Sequence, residues 1–402
     1  MGQTQVKLIT TLGTGKYEPT PYRFDENSEP VKTPFFPVAV VQWFHPEEVY
    51  ALLTETAKGH SNWQQCKNEL AKLISVENIH EQFIPDGKNE QELWQIFEVI
   101  AGVVSPGDRI MIDVTHGFRT LPMLVLLAIA YLRQVKDVQV ERVLYGAFDA
   151  KGSDGVTPVF DLTPFVSLLD WLTAAKIFMT TGDGRELADL MIRVQDQAHR
   201  EKADNPPKNL KKLGSRIREL SQNLLLSRVP GLAKSAQELK SELGKGELLK
   251  EIETCLPPLK PLFEQIRQKY APFAQDDLHT QLELVRWYRD HGHLVQAYTL
   301  AREWVVNYKL REKNSWEKRM EKDTRSDIEK ELSDEARKLR DGASQSTKNT
   351  VADLWDQITN YRNDIAHCGF RSDLKPAGTF KSGLNKIIEG MQSLLDKEKD
   401  TQ

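Results

Sequence analysis

The hydrophobic pattern of this chain changes character once, near residue 165. Before that point short β-rich runs alternate with helical stretches; after it strand signals fade and helices follow one another. Alternating strands and helices are read as an α/β layer with a mostly parallel sheet. The predicted order begins with a strand over Val6–Thr10, a buried strand over Val38–Phe44 and a helix opened by His45-Pro46-Glu47-Glu48. A strand over His80–Ile84 and an Asp-Gly turn follow, then a helix over Glu90–Val104 with Leu93, Ile96, Phe97 and Ile100 at helical spacing. Further strands are predicted over Arg109–Val114, Val143–Phe148 and Val159–Leu162. The apolar stretch Leu121–Gln134 reads as a helix lying directly on the sheet.

Beyond residue 165 the predicted helices are Pro164–Thr180, Arg185–Arg200, Leu210–Leu226, Ala233–Cys255, Pro258–Tyr270, Asp276–His291, Leu294–Tyr308, Ser346–His367 and Lys381–Leu395. Asn205-Pro206-Pro207 and Pro257-Pro258 mark breaks between helical units. Lys309–Asp341, dense in charges of both signs, reads as a solvated helix or a mobile loop. Three segments result: 1–165, 166–275 and 276–402.

Bulk properties narrow the function classes. With 402 residues, 40% hydrophobic and 28% charged, the chain is expected to be a soluble globular protein of two or three domains. A net charge of -4 gives no global positive field, so any phosphate or RNA site must be a local basic patch. Cys66, Cys255 and Cys368 are scattered and odd in number, which predicts neither a zinc site nor a disulfide framework. The amino terminus lacks a signal-peptide pattern, and Val6 stands where a myristoylation motif needs Ser or Thr. The longest apolar run, within Leu121–Leu132, is well short of the ~20 residues needed to span a bilayer. No membrane partner and a cytoplasmic location are expected.

Two loops in the first segment carry polar chemistry at strand ends, where open α/β sheets bind ligands. Thr10-Thr11-Leu12-Gly13-Thr14-Gly15 follows the first strand. Glycines let the backbone approach a ligand, successive N–H groups can cradle phosphate oxygens, and threonines add hydroxyl donors. Glu18 stands where a dinucleotide fingerprint needs glycine, and no P-loop spacing is present. Alone, the loop reads equally as an ordinary strand–helix turn. The second loop, Asp113-Val114-Thr115-His116-Gly117-Phe118-Arg119, precedes a helix N-terminus that can attract anions. Arg119 adds a guanidinium fork suited to phosphate. Asp113 alone also fits a role in pairing with Arg119 or holding the turn.

Asp113-Val114-Thr115-His116-Gly117-Phe118-Arg119 resembles the DxTHG motif of CRISPR-associated proteins with a CARF domain, a Rossmann-like sensor. The TLGTG loop resembles that family's first ligand loop, and Gly146-Ala147-Phe148-Asp149 fits its pattern after a later strand. The resemblance covers roughly residues 1–165. It implies a cyclic oligoadenylate as ligand, with a ring of four adenylates favoured over six, bound across the two-fold axis of a homodimer. Thr11, Gly13, Thr14 and Gly15 would line one wall, and Asp113, Thr115, His116, Gly117 and Arg119 the other.

A second constellation is Tyr361-Arg362-Asn363-Asp364-Ile365-Ala366-His367, at the end of an apolar helical stretch. RNA can be cut by its own 2′-hydroxyl, which needs proton transfer and stabilisation of negative charge. His367 can act as general acid or base, Arg362 can hold the phosphate, and Asn363 can orient phosphate or ribose, with no metal required. On a continuous helix Arg362 and His367 diverge by about 140°, so they converge more easily if the helix frays near Cys368-Gly369 or if two copies meet across a dimer axis. The spacing resembles the Rx4–6H motif of HEPN ribonucleases, which implies an all-α carboxy-terminal domain of that type. Arg286 and His291 repeat the same spacing but are read as structural or accessory. Cys368 is a minor candidate for a thiol nucleophile. The run Lys208, Lys211, Lys212, Arg216 and Arg218 reads as a solvated helix face, or else as a contact to RNA or a second protomer.

Together the resemblances imply a single-strand-specific endoribonuclease of type III CRISPR defence, active as a homodimer or higher homo-oligomer and switched on by the ring, with no other cofactor. The alternatives are a CARF-type, ligand-dependent transcriptional regulator, with residues 205–245 as the candidate DNA-binding segment, and a ribonuclease whose sensor also degrades its ligand.

Overall fold

A computed structural model of the protein describes residues 5–117, 120–203, 205–341, 350–370, 372 and 374–399. The chain divides into two compact units, Met1–Asp170 and Trp171–Gln402.

The first unit is built in chain order from β1 (Val6–Thr11), β2 (Thr20–Arg23), β3 (Val31–Thr33), α1 (Phe36–Phe44), β4 (Glu48–Leu53), α2 (Glu55–Gly59) and α3 (Ser61–Leu70). Then come β5 (Ile79–Phe83), α4 (Glu90–Gly102), β6 (Arg109–Asp113), α5 (Leu121–Lys136), β7 (Gln139–Gly146), β8 (Thr157–Asp161) and α6 (Thr163–Thr181), which runs on into the second unit. The strands form one mixed sheet in the order β3-β2-β8-β7-β6-β1-β4-β5. From β7 to β5 every pairing is parallel, as is β2 with β8; only β7–β8 and β2–β3 are antiparallel. Taken by order in the chain, the parallel strands β5-β4-β1-β6-β7 run third, second, first, fourth, fifth. This is the doubly wound arrangement, and its direction reverses between β1 and β6.

Alternating side chains divide between two layers. Leu8, Val49, Ala51, Leu53 and Met111 meet α1 and α3 on one face, through Phe36, Val38, Val40, Trp63, Cys66 and Leu70. Ile9, Leu52, Ile110, Ile112 and Val143 meet α4 and α5 on the other, through Ile96, Ile100, Leu121, Val125, Ile129 and Leu132. The expectation that the 121–134 helix packs on the sheet is met.

Two expected elements are exchanged. Val38–Phe44, read as a strand from its β-branched run, lies in helix α1. Pro37 sits in its first turn, where a missing N–H costs nothing, and residues Phe36–Val41 are all buried. With apolar surface required on every side, the run carries no period to reveal it as a helix. The expected helix at His45-Pro46 is instead an ending: His45 adopts the left-handed conformation at φ 47 and closes α1. Glu47 then bonds both backbone groups of Val6, and the chain continues as β4. The short strands β2 and β3 and the helices α2 and α3 were not foreseen.

The second unit contains helices and connecting loops and no strand among its described residues. It contains α7 (Arg185–Arg200), α8 (Leu210–Leu225), α9 (Val229–Leu243), α10 (Gly246–Cys255) and α11 (Lys260–Tyr270), then α12 (Leu278–Asp290), α13 (Leu294–Glu312), α14 (Lys322–Arg340), α15 (Val351–Ala366) and α16 (Thr379–Lys399). The single helix expected over Ala233–Cys255 is two, separated at Gly244-Lys245. The charged segment 309–341 is ordered as the end of α13, a 3-10 turn and α14, whose Ile328, Leu332 and Ala336 are buried. α13 is the hub of the carboxy-terminal bundle and packs on α12, α14, α15 and α16. No helix among the described residues is long and apolar enough to cross a membrane.

Leu132 is fully buried beneath the sheet. Leu132→Ala is therefore expected to lower unfolding free energy by about 2–5 kcal/mol in urea titration. A loss under about 0.5 kcal/mol would contradict the packing of α5 on the strands.

Candidate functional site

The reversal between β1 and β6 brings the two polar loops together. A cavity of about 380 Å³ lies at these strand ends. Its lining includes Thr11, Gly13, Thr14, Gly15, His116 and Gly117 from the expected set, with Tyr17, Thr54, Thr56 and Asp86 in addition. A second cavity, of about 490 Å³, adjoins Thr115, Tyr145, Gly146, Phe148 and Asp149. His116 and Tyr17 line both, their rings 4.3 Å apart. Arg119 and Phe118 lie outside the described residues.

Asp113 does not line either cavity; it lies beneath the loops, 1% exposed. Its two oxygens accept from the Thr10 hydroxyl at 2.7 Å and the Thr115 N–H at 2.8 Å. Thr115 extends the link by accepting from the Gly146 N–H at 2.9 Å. One carboxylate thus ties β1 to the loop after β6, and Thr115 ties that loop to β7. Burial pushes the Asp113 carboxyl up to about 6, the hydrogen bonds opposing it.

His116 is held rather than free. Its Nε2 accepts from the Phe36 N–H at 3.3 Å, the first helical N–H of α1, whose N-cap residue Phe35 supplies no side-chain cap. That bond places the ring proton on Nδ1. Burial pushes the imidazole down to about 4, so at neutral pH it is an uncharged wall and hydrogen-bonding group. Gly117 packs closely: a Cβ there would come 2.5 Å from a Leu121 methyl, which would have to move aside.

The first loop has supports that no sequence signal marked. The Asn62 side chain donates to the Gly13 and Gly15 carbonyls at 3.2 and 2.8 Å. The Gly13 N–H donates to the Tyr17 hydroxyl at 3.0 Å. Thr11 Oγ1 is buried with no partner among the described residues. The first turn of α5 carries no side-chain cap among the described residues. Threonine hydroxyls, bare backbone and an uncapped helix start suit phosphate and ribose oxygens. Asp86, paired with Lys88 at 2.6 Å, suits a ribose hydroxyl or an exocyclic amine.

In the second unit α15 begins at Thr350, whose hydroxyl accepts from the Asp353 N–H. Its rotation is set by Tyr361, which stacks on Tyr298 at 5.2 Å and meets Phe380 at 5.4 Å. Asp364 is buried and accepts from the Lys375 N–H at 3.0 Å. Arg362 and Asn363 are half-buried, and His367 is exposed. The helix stops at Ala366; His367 is its C-cap, and Cys368 and Gly369 follow at φ 52 and 74. Of the two conditions for convergence, an ending helix is met. No hydrogen bond or ion pair joins Arg362 to His367 among the described residues. Glu329, clamped by Arg302 at 2.8 and 3.0 Å, is held below the usual carboxylate range by that pair, with Arg362 adding its charge.

Of the competing candidates, Cys368 and Lys208 are exposed, while Arg286, His291 and the basic residues of α8 have partners. Arg286 binds Glu283 and Gln392; His291 stacks on Trp287 at 4.0 Å and contacts Lys269 at 3.0 Å. The basic run on α8 is neutralised: Lys211 pairs with Asp196, Lys212 with Glu242, Arg216 with Glu219 and Glu238, and Arg218 with Asp189. Among the described residues no group of three or more His, Cys, Asp or Glu is gathered as metal ligands would be.

Residues 7–149 match the family model of the CARF domain of CRISPR system endoribonuclease Csx1. Residues 167–272 match that of the second domain of CRISPR-associated protein MJ1674. The chain is 22% identical over 221 residues to CRISPR-associated protein MJ1674 of Methanocaldococcus jannaschii, across 54% of this chain and 32% of that protein. The match thus spans about a third of the relative's length. Residues 7–149 are thus similar to a CARF domain of the CRISPR-associated kind, and a helical region follows them.

The two buried titrating groups oppose each other. Asp113, raised from 3.8 to about 6, favours the fold at low pH and loses that contribution as pH rises through 6. His116, lowered from 6.5 to about 4, disfavours the fold as pH falls through the same window. Asp113→Asn removes one side of the balance. Its stability is expected to fall more between pH 7 and pH 4.5 than that of the unaltered protein, by on the order of 2 kcal/mol in urea titration. An equal fall in both would refute the assignment.

Proposed function

We propose that this protein is an endoribonuclease activated by a cyclic oligoadenylate. The observation that carries the reading is the meeting of two glycine- and threonine-rich loops at the β1/β6 reversal, beside the uncapped start of α5. Thr11, Gly13, Thr14 and Gly15 form one wall for the ring's phosphates and riboses. His116 and Gly117 form the other, Thr115 faces the adjoining cavity, and Asp113 holds the loops from beneath. Arg119 supplies positive charge in this reading. The match to the CARF domain of a CRISPR endoribonuclease supports a ring-shaped adenylate as the ligand class; four adenylates is the favoured size.

His367 serves as general acid or base, Arg362 holds the scissile phosphate, and Asn363 orients it. The 2′-hydroxyl of the RNA is the nucleophile, and the 5′-oxygen of the next nucleotide leaves with a proton. A composite site from two protomers brings two such sets together. The face of α5 supports a homodimer: Met123, Leu127 and Val135 are 69%, 60% and 58% exposed, with Leu126 and Tyr131 beside them. Ring binding must favour the active dimer arrangement over the resting one.

Synthetic rings of four and six adenylates are added to the protein with a fluorescent RNA reporter. Cleavage is expected with one ring size, and His367→Ala should reduce it about 100-fold or more while ring binding is retained. An intact reporter with every ring, or wild-type cleavage by His367→Ala, would overturn the reading. Leu127→Glu is expected to shift the protein to monomer in sedimentation and to abolish activated cleavage; a stable dimer would remove α5 from the interface.

A further inference from the structure

The helical unit holds a cavity of about 450 Å³ that the reading above does not use. Its walls come from the α8–α9 turn, α12, α13 and the approach to α14. One side is a connected polar chain. Arg325 donates to the Asn307 carbonyl oxygen at 2.9 Å, and the Asn307 amide to Gln281 at 3.0 Å. The Gln281 amide donates to Asp276 at 2.9 Å, and Arg319 reaches the other Asp276 oxygen at 3.2 Å. Arg325 also binds Glu303 and the Arg319 carbonyl. Gln281 and Asn307 are 2% and 9% exposed. Apolar side chains would join these helices without the desolvation cost of such a chain. Its links hold the arginines in place before any ligand arrives.

The charge balance points to an anion. Arg228, Arg319 and Arg325 share the lining with only two carboxylates, Asp276 and Glu303. Arg228 is exposed and has no acidic partner among the described residues. The first turn of α9, Val229-Pro230-Gly231, lines the same cavity with no side-chain cap from Arg228; Val229 gives its N–H to the Ser227 carbonyl and Pro230 has none, so the Gly231 N–H is the one this turn offers. Leu300 and Met320 add apolar surface, and the Asn307 and Gln281 amides each keep one N–H beyond those already donated.

We propose that this cavity binds one nucleotide. The phosphate meets Arg228 and the first turn of α9, and the base lies on Leu300 within reach of the Gln281 and Asn307 amides. The volume falls in the range of small-molecule sites, roughly 300–1,000 Å³. The nucleotide is either free or one unit of an RNA chain. The proposal does not depend on what the amino-terminal loops bind.

Adenosine 5′-monophosphate is titrated into the full chain by calorimetry, with circular dichroism as a check on each variant's fold. Saturable binding of one equivalent is expected. Arg228→Glu should weaken it about tenfold or more. Thr299→Trp, placed at an exposed position of the lining, should abolish it. Thr14→Trp, which obstructs the amino-terminal cavity, should leave it unchanged. Displacement by a 2′-O-methylated RNA oligonucleotide assigns the site to an RNA unit, and failure to displace assigns it to a free nucleotide. No saturable heat, loss of binding in Thr14→Trp, indifference to both Arg228→Glu and Thr299→Trp, or equal affinity for inorganic phosphate would overturn the proposal.

Discussion

The buried carboxylate of Asp113 is the constraint on which the amino-terminal site rests. It is almost wholly withdrawn from water and still charged at neutral pH, a state that only close hydrogen bonding makes tolerable. Its partners belong to different parts of the chain: Thr10 on β1 and Thr115 after β6. Since Thr115 also receives the Gly146 N–H, three strand ends are registered by one anion and one threonine. Both glycine-bearing loops take their positions from this link. The residue that reads as the most chemical member of its motif is thus a positioning group, and the surfaces open to a ligand belong to its neighbours.

Much of this was legible because local chemistry and global architecture agreed. Helix α4 carries a helical period, β1, β6 and the apolar helix α5 lie where short β-rich and apolar runs put them, and the two loops follow their strands directly. Helix α1 was misread because burial on all sides erased its period and its valines favour strands when taken alone. His116 explains part of that helix, since an imidazole 80 positions away caps its first N–H. Asn62 and Tyr17 were missed for the same reason. Their contacts with the β1 loop are made by the fold, and no spacing along the chain announces them.

The carboxy-terminal constellation has a different logic. Tyr361 and Asp364 face inward and fix the rotation and ending of α15, while Arg362 stays half-buried and His367 caps an open end. Packing residues and the proposed chemical residues share a stretch of seven positions. The sequence could mark the motif but not this division of labour, because Asp364 looks as reactive as its neighbours until its Lys375 partner is seen. The basic face of α8 makes the complementary point: Lys211, Lys212, Arg216 and Arg218 each meet a carboxylate that no spacing along the chain announces.

The loops after β1 and β6 are proposed to form one docking site for a ring of adenylates. Amide hydrogen exchange on the full chain, with and without cyclic tetra-adenylate, tests it most directly. Slower exchange is expected at the amides of residues 11–17 and 114–117 when the ring is present. Unchanged exchange in both loops, with protection confined to other segments, would contradict it.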